Sequence, residues 1–301
     1  MTSNVMNNNV MSATKKSKRN SVIAKICIYL SLVLYAALII FPFTIVVLTS
    51  FKTRLDSSAL VFKIIPDEGY TIEGYIEVFK YRANYYAVLP TLVQGFVNTF
   101  MYIIPPTALG LFSSSLAAYA FSKLRFRASK VMYAILLATM MIPGTITIAP
   151  AFSIYDTIGW IDTPYPLMIP GMFGAAACVF FMRQYFTGIP DSVIEAAKID
   201  GVGYFGIFWK MMVPLSVPAL IAQGLLGFIG GYNDYFGPML YLQSSVKYNL
   251  QVALKNFASV YGDNQNAVMA ATMMALLPTL VIYFIAQDFF IEGIAASGIK
   301  G

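Results

Sequence analysis

ICIYLSLVLYAALIIFPFTIVVLTSF, residues 26–51, runs for 26 positions without an Asp, Glu, Lys or Arg. A helix needs roughly 20 residues to cross the hydrocarbon core of a bilayer, so this stretch is long enough to span it. A barrel strand would need only about 10 residues in strict alternation, whereas this run is continuously apolar. Five more uncharged stretches follow, at 83–122, 131–155, 163–182, 211–233 and 264–287. The chain therefore reads as all-α, a polytopic membrane protein with six transmembrane helices.

Composition agrees. Of 301 residues, 58% are hydrophobic and 11% charged, against roughly a quarter charged in an average soluble domain. There is no histidine, which excludes imidazole acid-base chemistry, His metal ligands and His-containing triads. The spans hold no clustered carboxylates either, so a membrane-embedded enzyme is disfavoured, and we expect neither catalytic residues nor a metal site. Cys27 and Cys178 both fall in apolar runs and read as core residues.

Residues 1–25 form a basic arm with Lys15, Lys16, Lys18, Arg19 and Lys25 and no acid. The apolar run after it is longer than that of a cleaved signal peptide, so 26–51 reads as a retained span. The Asn- and Ser-rich arm itself reads as a disordered extension rather than a contact with anionic lipid. Much of the net charge of +6 comes from this arm and one short loop, which suits the cytoplasmic membrane face and not nucleic acid.

Lys and Arg concentrate in cytoplasmic loops. With six spans and both termini cytoplasmic, 13 of the 20 basic residues fall inside and 9 of the 14 acids lie outside the cytoplasmic segments. The run 83–122 is long enough for two spans and contains Pro105 and Pro106. Two spans there would put either the arm or the acid-free Lys123 to Lys130 cluster outside. One bent helix with an interfacial lead-in at Tyr85, Tyr86 and Leu89 costs less. The external loop 52–82 is rich in Tyr, Asp and Glu and is expected to pack as a short amphipathic cap.

Residues 189–214 form a charged island. Ile189-Pro190 stops the fourth span, Ser192 with Glu195 makes a capping-box pattern, and a helix of about 192–200 should end at Gly201 in the left-handed conformation. A second helix of about 204–212 should follow, with Val213-Pro214 opening the fifth span. Ala196 and Ala197 would give the first helix a low surface that another protein can approach closely. Caps and glycine stops are common, so a plain connecting loop fits these residues as well.

The spacing of Glu195-Ala196-Ala197, Gly201 and Pro214 resembles the cytoplasmic loop of ABC importer membrane subunits. Asn98-Thr99, Ala117 to Ser122, Met141-Ile142-Pro143, Tyr232-Asn233-Asp234 and the tail Gly298-Ile299-Lys300-Gly301 resemble the carbohydrate importers, in particular the second permease subunit of the maltose-type class. Tyr232 stands where that class often has Trp. The resemblance implies a type I ABC importer permease fold over residues 26–301. It also implies a permease of the bacterial cytoplasmic (inner) membrane for a sugar or oligosaccharide. The implied partners are a second permease, two cytoplasmic ATPase subunits and an extracytoplasmic solute-binding protein. Glu195, Ala196, Ala197, Asp200, Gly201 and Pro214 would then form the coupling contact with an ATPase.

No Gly-Lys dipeptide occurs, so the phosphate-cradling loop is absent and ATP with Mg is expected in the partner ATPase chains. Asn98, Tyr232, Asn233 and Asp234 are candidate pathway residues. Asp234, a carboxylate at a span end, also leaves open a stand-alone proton-coupled carrier, which a hydrated position for that carboxylate would disfavour.

Overall fold

The computed structural model describes the backbone of residues 2–298 and the side chains of residues 24–287. Apart from one isolated bridge between Lys52 and Tyr70, the described residues form helices and connecting turns. The tail resemblance at Ile299, Lys300 and Gly301 lies outside them.

Helix α1 (Thr2–Ser50) carries the first apolar span, Ala24–Ser50. The arm continues the helix. It contains neither Pro nor Gly, so nothing interrupts helix propagating backwards from the span. Two short helices, α2 (Arg54–Ser57) and α3 (Glu73–Lys80), occupy the first long loop, and α3 buries Gly74 and Val78. Its residues face α15 (Gln265–Gly298), the last long helix.

Helix α4 (Thr91–Lys123) is continuous over 33 residues. At 1.5 Å per residue this is about 50 Å, more than a bilayer core, so 83–122 is one crossing. Tyr85 and Tyr86 lie exposed in an irregular lead-in.

Two of the six expected spans are broken. Helices α5 (Ser129–Met140) and α6 (Gly144–Thr157) meet at 94°. Pro143 precedes α6 in an extended conformation (ψ 128°), and a residue before proline avoids the helical region, so Met141-Ile142-Pro143 is a corner. Neither piece alone reaches the roughly 30 Å needed to cross.

The fourth span is Tyr165–Thr187, made of α7 (Tyr165–Met172) and α8 (Ala176–Thr187). Between them Gly174 has φ +93°, and a Cβ there would sit 2.6 Å from Ser114 Oγ. A Cβ on Gly110 would collide with the Gly171 carbonyl. Small residues thus let α4 and the fourth span meet backbone to backbone, the contact that supplies association energy where apolar burial gains nothing from lipid.

The 189–214 island folds as α9 (Asp191–Ile199), α10 (Tyr204–Ile207), a π-helical turn over Phe208–Met212 and α11 (Val213–Leu215). It then bends by 80° into α12 (Val217–Tyr232). Counted through that bend, the fifth span is a broken one whose first piece holds Val213-Pro214. Pro218 has no N–H to continue the ladder. Buried Ser216, at the bend, donates its hydroxyl to the Met212 carbonyl at 2.7 Å. The chain continues through α13 (Phe236–Tyr241) and α14 (Leu250–Val260) to α15.

Two buried cores sit at opposite ends of α4. One joins Tyr119 and Ala118 of α4 to Met182 and Phe186 of α8, Ile194 of α9, and Phe208 and Met212 of the π turn. The other joins Leu92 and Ile103 to Val78, Tyr232, Leu250, Phe257 and the alanines of α15. The first unites the Lys123 loop with the 189–214 island, and the second unites the 52–82 loop with the segment before α15. Cys178 is half-buried, whereas Cys27 is exposed on α1 and is not a core residue.

Candidate functional site

One polar side chain of α4 ties down the island beside the apolar core the two share. Lys123, 4% exposed, donates from Nζ to the Ile189 carbonyl at 2.6 Å and to Asp191 Oδ1 at 2.6 Å. The Lys123 ammonium holds the Asp191 carboxyl below the usual carboxylate range. This anchor starts α9 at Asp191 behind Pro190, one residue ahead of the expected Ser192 cap, and no side-chain cap forms. An acid in the first turn is favoured by the helix dipole in any case.

Helix α9 ends as its sequence predicts. Gly201 has φ +77°, Val202 N donates to the Ala197 carbonyl and Gly201 N to the Lys198 carbonyl, each at 3.0 Å. This is the paired-bond stop that a left-handed glycine permits. Glu195, Ala196, Asp200 and Gly201 are exposed. Ala197 is not: at 2% exposure it packs inward with Ile194, so the small surface expected of both alanines comes from Ala196 alone. Beside that surface Ile199, Tyr204 and Phe205 are exposed, with Lys198 Nζ 5.3 Å from the Tyr204 ring centroid.

Between the two cores lies a cavity of about 370 Å³ along the middle of α4. Of the four expected pathway residues, only Asp234 lines it. Asn98 is buried and fully engaged, donating to the Val246 and Tyr248 carbonyls at 2.9 Å and accepting from Gln94. Tyr232 is 1% exposed, stacks on Phe228 and donates to the Ala275 carbonyl at 2.7 Å. Asn233 is exposed and turns its amide back to the Ile229 carbonyl. Asp234 is exposed, with Oδ1 accepting from Gly237 N at 3.2 Å.

One end of the cavity is held by a clamp that sequence reasoning missed. Asp162, at φ 56°, accepts from Ser244 N, Ser244 Oγ, Gln243 N and Lys247 Nζ. Burial alone would raise its carboxyl, but the bonds from Ser244, Lys247 and Gln243 outweigh that and hold it far below the usual range. The Lys247 carbonyl in turn accepts from Tyr102 of α4 at 3.0 Å. A lone Asp before Thr-Pro gives no hint of partners 81–85 positions away.

Thr107, Gln223, Gly227 and Gly231 of the lining were also missed. The spacing of four in 223, 227 and 231 was the available signal. Among the described residues no group of three or more His, Cys, Asp or Glu is placed to hold a metal.

The sequence pattern of the binding-protein-dependent transport system inner membrane components matches residues 107–295, which contain the second half of α4, the fourth span, α12 and the whole island. The chain belongs to that family. This permease is 29% identical to the inner membrane ABC transporter permease protein YcjP of Escherichia coli (strain K12), over 93% of this chain and 98% of YcjP. It is 28% identical to the arabinooligosaccharides transport system permease protein AraQ of Halalkalibacterium halodurans, over 88% of this chain and 93% of AraQ. Its fold matches a crystal structure of a bacterial ABC transporter involved in the import of the acidic polysaccharide alginate, with TM-score 0.77 and 26% identity. That match covers 90% of this chain and 98% of the other. The permease is thus a multi-pass membrane subunit of an ATP-driven, binding-protein-dependent importer, with the type I importer permease fold.

Proposed function

We propose that this permease imports a sugar or oligosaccharide, and that the island Asp191–Leu215 is its contact with a cytoplasmic ATPase. The observation that carries the second part is the stop at Gly201. It turns the chain so that Glu195, Ala196, Asp200 and Gly201 lie exposed beside bare Ile199, Tyr204 and Phe205. An exposed apolar patch rimmed by charge is what a docked protein covers. The buried side of α9 is packed with Phe208, Met182 and Tyr119 into one core, so displacement of α9 moves α4 and α8 with it. Closure of an ATPase pair then biases the membrane helices by population shift. Pro214, exposed in α11, lies nearer the bend than the contact.

The carbohydrate class is supported by the arabinooligosaccharide and alginate systems among its relatives. In this reading ATP and Mg are bound by two partner ATPase chains, a second permease completes the pathway, and a solute-binding protein delivers the sugar from outside. The Lys123 cluster and the island share one end of the bundle. The positive-inside bias puts that end, with both termini, in the cytoplasm. A stand-alone proton-coupled carrier finds no support: Asp234 is exposed in this chain and bonded to its own turn.

The test is Gly201→Asp in the assembled complex. A Cβ at Gly201 meets nothing within 4 Å in this chain, so the added carboxylate points into the contact. The expected result is loss of copurifying ATPase or of binding-protein-stimulated hydrolysis. Normal values for both, with normal uptake, would remove the coupling role.

A further inference from the structure

The cavity between the two cores is lined by one charged residue, Asp234, and by no Lys or Arg. Gln223, Gly227 and Gly231 share one face of α12, where the glycines admit Thr107 and Ile103 of α4 at close range, with Gln223 towards one end of the cavity and Asp234 beyond the other. Thr107 Cγ2 lies 3.2 Å from where a Gly227 Cβ would be. The side chains of Gln223 and Thr107 form no hydrogen bond among the described residues, and Asp234 has committed only Oδ1. Thr99, Tyr102, Ser114 and Asn249, in the same walls, are already engaged.

We propose that this cavity is a subsite, carried by this chain itself, for a neutral saccharide. Gln223, Thr107 and Asp234 take its hydroxyls, and the apolar walls at Ile103 and Leu167 cover the C–H faces of its rings. The proposal rests on the carbohydrate reading above. The volume lies within the roughly 300–1,000 Å³ of small-molecule sites, and a few open polar groups in an apolar wall are what fixes a ligand's orientation there. An amide serves hydroxyls as donor and acceptor, and a carboxylate accepts from them in a charge-assisted bond. A uronate would bring a second negative charge beside Asp234 with no cation in the lining, a like-charge pairing that lowers affinity by more than about tenfold.

Cys178 lines the cavity, and Cys27, the other cysteine, lies on α1. In a Cys27→Ser background, methyl methanethiosulfonate labelling of Cys178 is followed in the complete complex in nanodiscs. It is measured with and without neutral probes (arabinotriose, maltotriose, xylotriose and their monosaccharides) and with trigalacturonate. At least one neutral probe should slow labelling while trigalacturonate does not. Gln223→Leu should raise the half-protecting concentration about tenfold, and Asp234→Asn should let trigalacturonate protect. An unreactive Cys178, no protection by any neutral probe, equal protection by trigalacturonate, or protection indifferent to Gln223→Leu overturns the subsite. ATP-driven uptake by the same preparation separates the two readings: uptake of a neutral sugar without protection refutes the subsite alone. If no carbohydrate is taken up, the carbohydrate reading falls with it.

Discussion

Lys123 reaches from the last turn of α4 to Asp191 in the first turn of α9, 68 residues further along the chain, at 2.6 Å. The contact joins a membrane-crossing helix to the island that should receive force from an ATPase. Lys123→Met keeps the buried stem and removes the ammonium. We expect it to leave membrane insertion unchanged and to lower transport more than ATPase activity, read as sugar moved per ATP hydrolysed. Asp191 is exposed, so Asp191→Asn should have a smaller effect than Lys123→Met, which also frees the Ile189 carbonyl. Equal and unimpaired coupling in both would show the tether to be incidental.

The Asp162 clamp makes a pH prediction. Its carboxyl is depressed in the folded chain, so its stabilisation is fully present above the unfolded value of about 3.9 and is lost as pH falls through the folded value below that. Asp162→Asn tolerates the positive φ but cannot hold Lys247 by charge. It should lower stability by on the order of 1 kcal/mol at pH 7, a figure kept small by partial exposure, and by progressively less in strong acid. Thermal unfolding in detergent at pH 7 and pH 3 reads this; a stability difference that grows on acidification would contradict the clamp.

Gly201 separates backbone from contact. Gly201→Ala forces a Cβ into the left-handed region and should cost about 1 kcal/mol of local stability without disrupting assembly. Gly201→Asn, whose side chain tolerates that region, should be milder still. Only the charged Gly201→Asp should release the ATPase. If Ala and Asp release it alike, the turn's shape and not its surface is what the partner needs.

Tyr232 tests whether a buried, hydrogen-bonded ring can belong to the pathway. Tyr232→Phe removes the buried bond to the Ala275 carbonyl and should cost about 1 kcal/mol in unfolding. Because the ring faces the outer core and not the cavity, sugar affinity should stay within about twofold of the parent in uptake assays. A large rise in the half-saturating sugar concentration with unchanged stability would return Tyr232 to the pathway.

What the sequence allowed was set by how local each determinant is. Uncharged runs locate the spans, and the pattern Glu195 to Gly201 predicts both a short helix and its left-handed stop, because those signals act within one turn. The engagement of Asn98 was not legible because its partners, the Val246 and Tyr248 carbonyls, are 148 and 150 positions away. Ala197 looked like surface because burial depends on which face of α9 meets Phe186 and Phe208. The corners at Met141-Ile142-Pro143 and Ser216 were hidden inside runs whose hydrophobicity never changes. The cavity escaped notice for a related reason. Glycine at 227 and 231 is read as packing until the facing helix, with Thr107, is known.

The central claim is that this chain moves sugar only when driven through the island by a separate ATPase. It is tested by placing the permease in proteoliposomes with and without its second permease, ATPase subunits and sugar-loaded binding protein, and measuring uptake. The account predicts uptake only in the complete, ATP-supplied system, abolished by Gly201→Asp and indifferent to an imposed proton gradient. Uptake by this chain alone, driven by a proton gradient and lost in Asp234→Asn, would contradict it.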